Sequence, residues 1–415
     1  MKSLKLISAG MLAAACISSA AAADLGTVYV TGSSAYRAAT ISSIQALYTA
    51  STLQTGCVGA SLSGSTYAIF KGALASTGDT VTIVTDFTGS ASGVQAVVQT
   101  TTGGLTTGAA NVPTVAFIDP STSLAAAPSA ATGLTLGTYT HAAGIALSDV
   151  NYYLTPFTRP TDLTPNEAAS SPVGVIPFFW VKNNGASSSI TNITNQIAKG
   201  LAAGGLPLSF FSGTSTDTTT VRIVGRNGDS GTRLTAYEEA GYGALTSPTQ
   251  YLPSGASAGS NGVGQSAGSG DITSFSKWPV ETINGISFSL GQGGFASGGT
   301  LATVATRTSS AGPIVTYLGK SDAKTAVAGG ATVLSYNGVT PEAPSSSSFP
   351  SITSGKYSFW SYEHLYYNDQ SAGTAAIAEA LATEIQTPAE AQLSGIDINS
   401  MNVNRGAEGQ VIVPN

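Results

Sequence analysis

Val221-Arg-Ile-Val-Gly-Arg-Asn-Gly-Asp-Ser-Gly-Thr-Arg-Leu-Thr-Ala-Tyr-Glu-Glu-Ala240 decides how this chain is read. Val221, Ile223 and Val224 have the character of a short buried strand, and Leu234, Tyr237 and Ala240 recur at helical spacing. A strand therefore hands over to a helix through Arg226-Asn-Gly-Asp-Ser-Gly-Thr232. Gly228 and Gly231 allow a tight turn with unobstructed N–H groups, Ser230 and Thr232 supply hydroxyl donors, and Arg226 supplies a cation. Amides at a helix N-terminus and the positive end of its dipole favour an anion, and a tetrahedral oxyanion suits them. A plainer reading stands beside this one, in which Ser230 only caps the helix and Arg226 pairs with a surface carboxylate.

Two other readings fail on the residues. Gly228-Asp-Ser-Gly231 resembles the nucleophile loop of trypsin-like proteases, with His141, Asp149 and Ser230 in that family's order, but Thr232 stands where a glycine belongs and His141 lies in Thr140-His-Ala-Ala143. A phosphate loop at Gly312 to Ser321 fails because six residues separate Gly312 from Gly319 where four are required.

The N-terminus places Lys2 and Lys5 before an uncharged run from Leu6 to Ile17, and Ala21-Ala-Ala23 precedes Asp24. This is the pattern of a secretory signal peptide cut after Ala23, so the expected location is periplasmic or secreted. Ala13 stands where a lipoprotein signal before Cys16 carries leucine. Losing Lys2 and Lys5 from the 16 basic residues leaves 14 against 22 acidic, a net of −8, which argues against a nucleic-acid partner. No later stretch is long and apolar enough to span a membrane. Cys57 alone remains after cleavage, excluding an internal disulfide or a cysteine metal cluster, and two separated histidines make no histidine-rich site. Charged residues are only 9% of the chain while hydrophobic residues are 42%, so a folded protein with a surface of hydroxyls and small residues is expected. Its length suggests two lobes.

The strand–glycine–serine–helix construction recurs. Val28-Tyr-Val30 leads through Thr31-Gly-Ser-Ser34 into a helix with Ile41 and Ile44, with Arg37 in its first turn. Tyr67–Phe70 and Val81–Val84 read as strands, and Phe87-Thr-Gly-Ser-Ala-Ser-Gly93 precedes a helix with Val94, Val97 and Val98. Gly144-Ile-Ala-Leu147 ends in Ser148-Asp149, where the acid is either a solvated turn or a ligand acceptor. Val112–Ile118, Val173–Val181 and Pro313–Leu318 read as further strands, and Ala375–Ile385 as a helix with Ile377, Ala380, Leu381 and Ile385 on one face. Gln250–Gly270 reads as a flexible surface loop. Strands alternating with helices argue for parallel pairing in an α/β fold, with ligands at the carboxyl ends of strands.

In this order the segments resemble the phosphate-binding proteins of bacterial ABC importers, within the type II periplasmic-binding-protein superfamily. Val30-Thr-Gly-Ser-Ser34 looks like the first loop of that family, Thr88-Gly-Ser-Ala-Ser-Gly93 like the second, Leu147-Ser-Asp-Val150 like the third, and Arg226…Ser230-Gly-Thr232 like the fourth. The resemblance implies a two-lobed α/β fold of mixed sheets flanked by helices, with a ligand cleft between lobe I (24–155 and 305–415) and lobe II (156–304). It implies a monomer that hands phosphate or a related oxyanion to an importer permease, without catalysis or cofactor. Ser33, Ser34, Ser90, Ser230, Gly231 and Thr232 are then expected to donate to the anion, Arg226 to pair with it, and Asp149 to accept the proton of monohydrogen phosphate. The chain departs from the family at Ala35, where threonine is frequent, and at Arg37, where proline is; Arg37 either compensates at the site or pairs elsewhere. An exported structural or surface-associated protein on the same fold is the alternative.

Overall fold

The computed structural model describes residues 22–98, 114–157, 165–260, 264–368 and 372–415, so the expected signal peptide lies almost wholly outside the described residues. The main strands are β1 (Asp24–Gly32), β2 (Gln54–Cys57), β3 (Tyr67–Ala73), β4 (Thr80–Asp86), β5 (Ser129–Ala131) and β6 (Ile145–Ser148). They continue with β7 (Gly174–Lys182), β8 (Leu206–Pro207), β9 (Thr220–Ile223), β10 (Ile314–Gly319) and β11 (Trp360–Tyr367). The helices that matter for the site are α1 (Arg37–Ala46), α2 (Ser90–Val98), α3 (Gly231–Glu239), α4 (Lys320–Ala328) and α5 (Ala372–Ile385).

These strands lie in one large sheet in the order β8-β9-β10-β7-β11-β6-β1-β4-β3-β2-β5. The sheet is mixed. β1 runs parallel to β4 and β6, and β9 parallel to β10, while β7 is antiparallel to both of its neighbours. The parallel pairing expected from alternation holds for partners far apart in sequence with at least one helix between them, β2 with β5 included; β3 returns directly to β4 and pairs antiparallel.

β7 joins the two halves of the sheet. All nine of its residues are buried, as its unbroken apolar run requires. Gly174–Pro177 pair with β11, and Phe178–Lys182 pair with β10. Pro177, which cannot donate to a ladder, stands at the changeover between the two partners. Trp180 on the far side stacks on Phe359 at 5.5 Å and meets the edge of Tyr317 at 5.7 Å, so the core is continuous across the change. β10, grouped by its position in sequence with residues 305–415, pairs with β9 and β7.

Three local expectations come out differently. Only Val115–Ala116 of the Val112–Ile118 run forms a strand among the described residues. In α5, Ile377, Leu381 and Ile385 are buried, but Ala380 is exposed and Ala378 takes the inner position, since it lies three residues before Leu381. The loop after Gln250 is anchored by side chains: Arg307 donates to the carbonyls of Ser254, Ala267, Ser269 and Gly270, and Gln265 donates to the Gly294 carbonyl and accepts from Ala296 N–H. Arg307 lies 37 to 53 residues downstream of its four carbonyl partners, where local composition gives no hint of it.

The C-terminal segment is fastened to the sheet by charge. His364 on β11 bonds Glu167 Oε1 at 2.8 Å through Nδ1 and faces Glu408 Oε1 at 3.5 Å through Nε2, with the Tyr366 ring stacked at 5.5 Å. Burial alone would lower its pKa, but the two carboxylates override that and raise it to about 9. The folded protein therefore holds a proton that the unfolded chain releases near 6.5, and its contribution to stability is lost as pH rises through 9. Denaturant stability measured against pH is expected to decline between 6.5 and 9, and His364→Gln to flatten that decline. A wild-type curve flat across this window contradicts the assignment.

Candidate functional site

Loops after β1, β4, β6 and β9 converge, and glycines let them. Gly32 has φ +114°, and a methyl there would stand 2.0 Å from the Leu147 carbonyl oxygen. Ser33 N–H donates to that same carbonyl at 2.8 Å. A methyl on Gly93 would meet Gly32 Cα at 2.7 Å, so α2 packs directly on the end of β1.

Asp149 lies at the centre, buried, at the end of β6. Its Oδ1 accepts from Ser90 Oγ at 2.5 Å, and its Oδ2 from Thr232 Oγ1 at 3.0 Å. Its main-chain carbonyl accepts from Thr235 Oγ1 and Ser361 Oγ. Burial pushes the carboxyl pKa up, against the Ser90 hydroxyl and the nearby Arg226 charge. Asp149 is thus no solvated turn residue; it ties the second, third and fourth loops together. Gly231 is required beside it, because a methyl there would lie 1.8 Å from Oδ1.

The fourth loop opens α3 as its sequence predicts. Ser230 is the N-cap, its Oγ accepting from Arg233 N–H at 3.3 Å, so the capping reading of this residue is realised. Arg226 is buried, yet it donates to carbonyls rather than carboxylates: Nε to Phe295 at 3.1 Å and Nη2 to Ala296 at 2.8 Å. Among the described residues neither Arg226 nor Arg37 forms an ion pair. The surface pairing weighed for Arg226 is therefore not what the fold makes of it.

The expected residues fall in three places. Ser90, Gly231 and Thr232 meet at Asp149 with the Arg226 charge nearby, while the Ser230 side chain is taken up in capping α3. Ser34 and Arg37 instead border a 230 Å³ cavity with Ser321 and Asp322, and Arg37 Nη1 reaches Thr66 Oγ1 at 3.5 Å. Ser33 turns inward, its Oγ accepting from Tyr36 N–H and opposing the pKa rise that burial gives Glu363.

In structure the chain is similar to phosphate-binding proteins. PstS from Borrelia burgdorferi matches with a TM-score of 0.37 and 12% identity, over 88% of this chain and 97% of that one. A possible phosphate binding protein from Planctomyces limnophilus matches with a TM-score of 0.37 and 10% identity, over 88% and 89%. No protein-family model and no curated protein matches. Likeness at this level leaves every residue's role to the site's own chemistry.

Sequence reasoning missed two acids. Asp229 accepts from Ser92 N–H at 2.5 Å and, through its carbonyl, from Ala91 N–H at 3.2 Å, so it caps α2 from across the fold. Burial pushes its carboxyl up to about 6. It was visible in the opening stretch, though only as part of a protease-like pattern. Asp322, in the first turn of α4, lies near both Arg226 and Arg37, whose charges oppose the rise that burial gives it. Its only signal was the rejected phosphate loop just before it. Among the described residues, no group of three or more His, Cys, Asp or Glu side chains is placed to hold a metal ion, and no helix is long and apolar enough to cross a membrane.

Proposed function

We propose that this chain is an exported solute-binding protein that captures a protonated tetrahedral oxyanion, monohydrogen phosphate foremost, and hands it to an importer permease. The observation that carries the reading is Arg226: a buried guanidinium fixed by two carbonyls, with no carboxylate in ion-pair contact, beside hydroxyls and a buried acid. The carboxylates of Asp149, Asp229 and Asp322 act on Arg226 without touching it, and an anion in direct contact would add the charge-assisted hydrogen bonds that they do not make. Ser90 and Thr232 would turn their hydroxyls from Asp149 to the ligand, and Asp149 would accept the ligand's proton in exchange. β7, shared by both halves of the sheet, is the natural hinge for two lobes closing on the anion. Nothing in this chemistry makes or breaks a covalent bond.

Ligand bound only by the folded state stabilises it by RT ln(1 + [L]/Kd), about 2.7 kcal/mol at a hundredfold excess over Kd. Protein freed of carried-over ligand should therefore melt higher in millimolar phosphate. The second reading, a structural exported protein, draws on Asp149 and Asp229, which already satisfy Ser90, Thr232 and the start of α2 without a ligand. An unchanged melting temperature would favour it.

Specificity should rest on Asp149. A fully ionised sulfate would face a carboxylate with no proton between them, which costs several kcal/mol in a desolvated site. Asp149→Asn replaces half of that acceptor capacity with donors. Discrimination against sulfate is expected to fall in competition titrations at neutral pH, and an unchanged phosphate-to-sulfate ratio would remove Asp149 from the ligand.

A further inference from the structure

Most of the donors of Arg226 are already committed. Its N–H donates to Tyr317 Oη at 3.2 Å, Nε to the Phe295 carbonyl and Nη2 to the Ala296 carbonyl. Nη1 bonds no group among the described residues, so the two carbonyls decide which edge of the guanidinium faces an anion. Both carbonyls sit in irregular chain, outside any strand or helix. A single bridge ties that chain to the fourth loop: Phe295 N–H donates to Gly225 at 2.9 Å, and Asn227 N–H to Phe295 at 3.0 Å.

Two glutamines of the 250–270 segment hold the same chain in place. Gln250 is fully buried; its Nε2 donates to the Arg226 carbonyl at 2.8 Å and the Gly293 carbonyl at 2.5 Å, and its Oε1 accepts from the hydroxyls of Tyr237 and Tyr317. Gln265 is half-buried; it donates to the Gly294 carbonyl at 3.2 Å and accepts from Ala296 N–H at 2.7 Å. Gly294 permits the close approach, since a methyl there would lie 2.2 Å from the Arg226 carbonyl oxygen. The two differ in what else they hold. Gln250 also satisfies two buried tyrosines of the core, whereas both bonds of Gln265 go to the residues flanking Phe295, one of them Ala296 itself.

We propose that Gln265 is a positioning residue for Arg226, so that the glycine- and serine-rich segment around it serves the anion site. This role rests on Arg226 being the anion seat. A guanidinium already gripped by two carbonyls has lost its rotamer freedom before the ligand arrives, so the cost of ordering it does not fall on binding. Without Gln265 the chain bearing those carbonyls is held by its bridge and by Gln250 alone, and the anion must order Arg226 as it binds.

Gln265→Ala tests this with two readouts. In the ligand-free protein, the Arg226 Nε–H signal, assigned by its disappearance in Arg226→Lys, should exchange with water several-fold faster in Gln265→Ala. Calorimetric titration of inorganic phosphate should show an affinity about two- to tenfold lower than that of the wild type, the range set by the cost of ordering one long side chain. A merely structural loss of two half-exposed hydrogen bonds would lower the melting temperature and leave both readouts alone. Unchanged exchange at Arg226 overturns the role of Gln265 and leaves the anion seat standing, and so does faster exchange with undiminished phosphate affinity. Absence of phosphate binding in the wild type overturns the seat itself and with it the role of Gln265, whatever the exchange rate.

Discussion

Arg226→Ala is expected to abolish oxyanion binding, with a loss of at least about a hundredfold. Breaking a buried charge pair costs about 3–5 kcal/mol, and each 1.4 kcal/mol is roughly a factor of ten in affinity. The variant also frees the carbonyls of Phe295 and Ala296, so its melting temperature must be measured beside its affinity. Arg226→Lys separates the two effects, since it keeps the charge but loses the planar fork that grips both carbonyls at once. Arg37→Ala should weaken binding less, because Arg37 is only half-buried and lines the cavity rather than touching the Asp149 cluster. Equal and small losses in Arg226→Ala and Arg37→Ala would put the anion elsewhere.

Arg405→Ala is expected to give the largest loss of stability, about 3–5 kcal/mol, by leaving a nearly buried carboxylate without its partner. Arg405 Nη1 pairs with Glu239 Oε2 at 2.8 Å and also donates to the Ser358 carbonyl, while the guanidinium lies 3.8 Å from the centre of the Trp360 ring. Glu239 ends α3, the helix opened by the fourth loop, so this pair fixes the far end of the element that presents Ser230 and Thr232. Urea denaturation of the variant measures the loss. A change below about 0.5 kcal/mol, the range of an ordinary surface substitution, would mean that the C-terminal segment does not hold α3.

What the sequence makes legible is local. The strand, turn and helix of residues 221–240 follow from apolar spacing and glycine, and the fold keeps them as β9 and α3. The loops bearing Ser90, Asp149 and Thr232 are each recognisable at a strand end, and they do meet. Spacing cannot say what each polar group bonds. Ser90 and Thr232 read as free donors, yet both are taken up by Asp149, and the partners lie 59 and 83 residues away. Asp229 caps a helix whose amide at Ser92 is 137 residues distant. The division of β7 between two partner strands is equally invisible, since a strand buried throughout looks alike whichever neighbours it has; Pro177 is the one residue that marks the change. The acids Asp229 and Asp322 were legible as residues and illegible as site members, because an isolated carboxylate in a turn is usually solvated.

Arg226 and Asp149 are the proposed seat of a protonated tetrahedral oxyanion. Its most direct test is a calorimetric titration of phosphate into the mature protein, stripped of ligand by unfolding and refolding, with an equal titration of sulfate. Saturable binding of one phosphate per chain is expected, with heat from sulfate no greater than dilution. Absence of phosphate binding, or sulfate binding as well as phosphate, would contradict it.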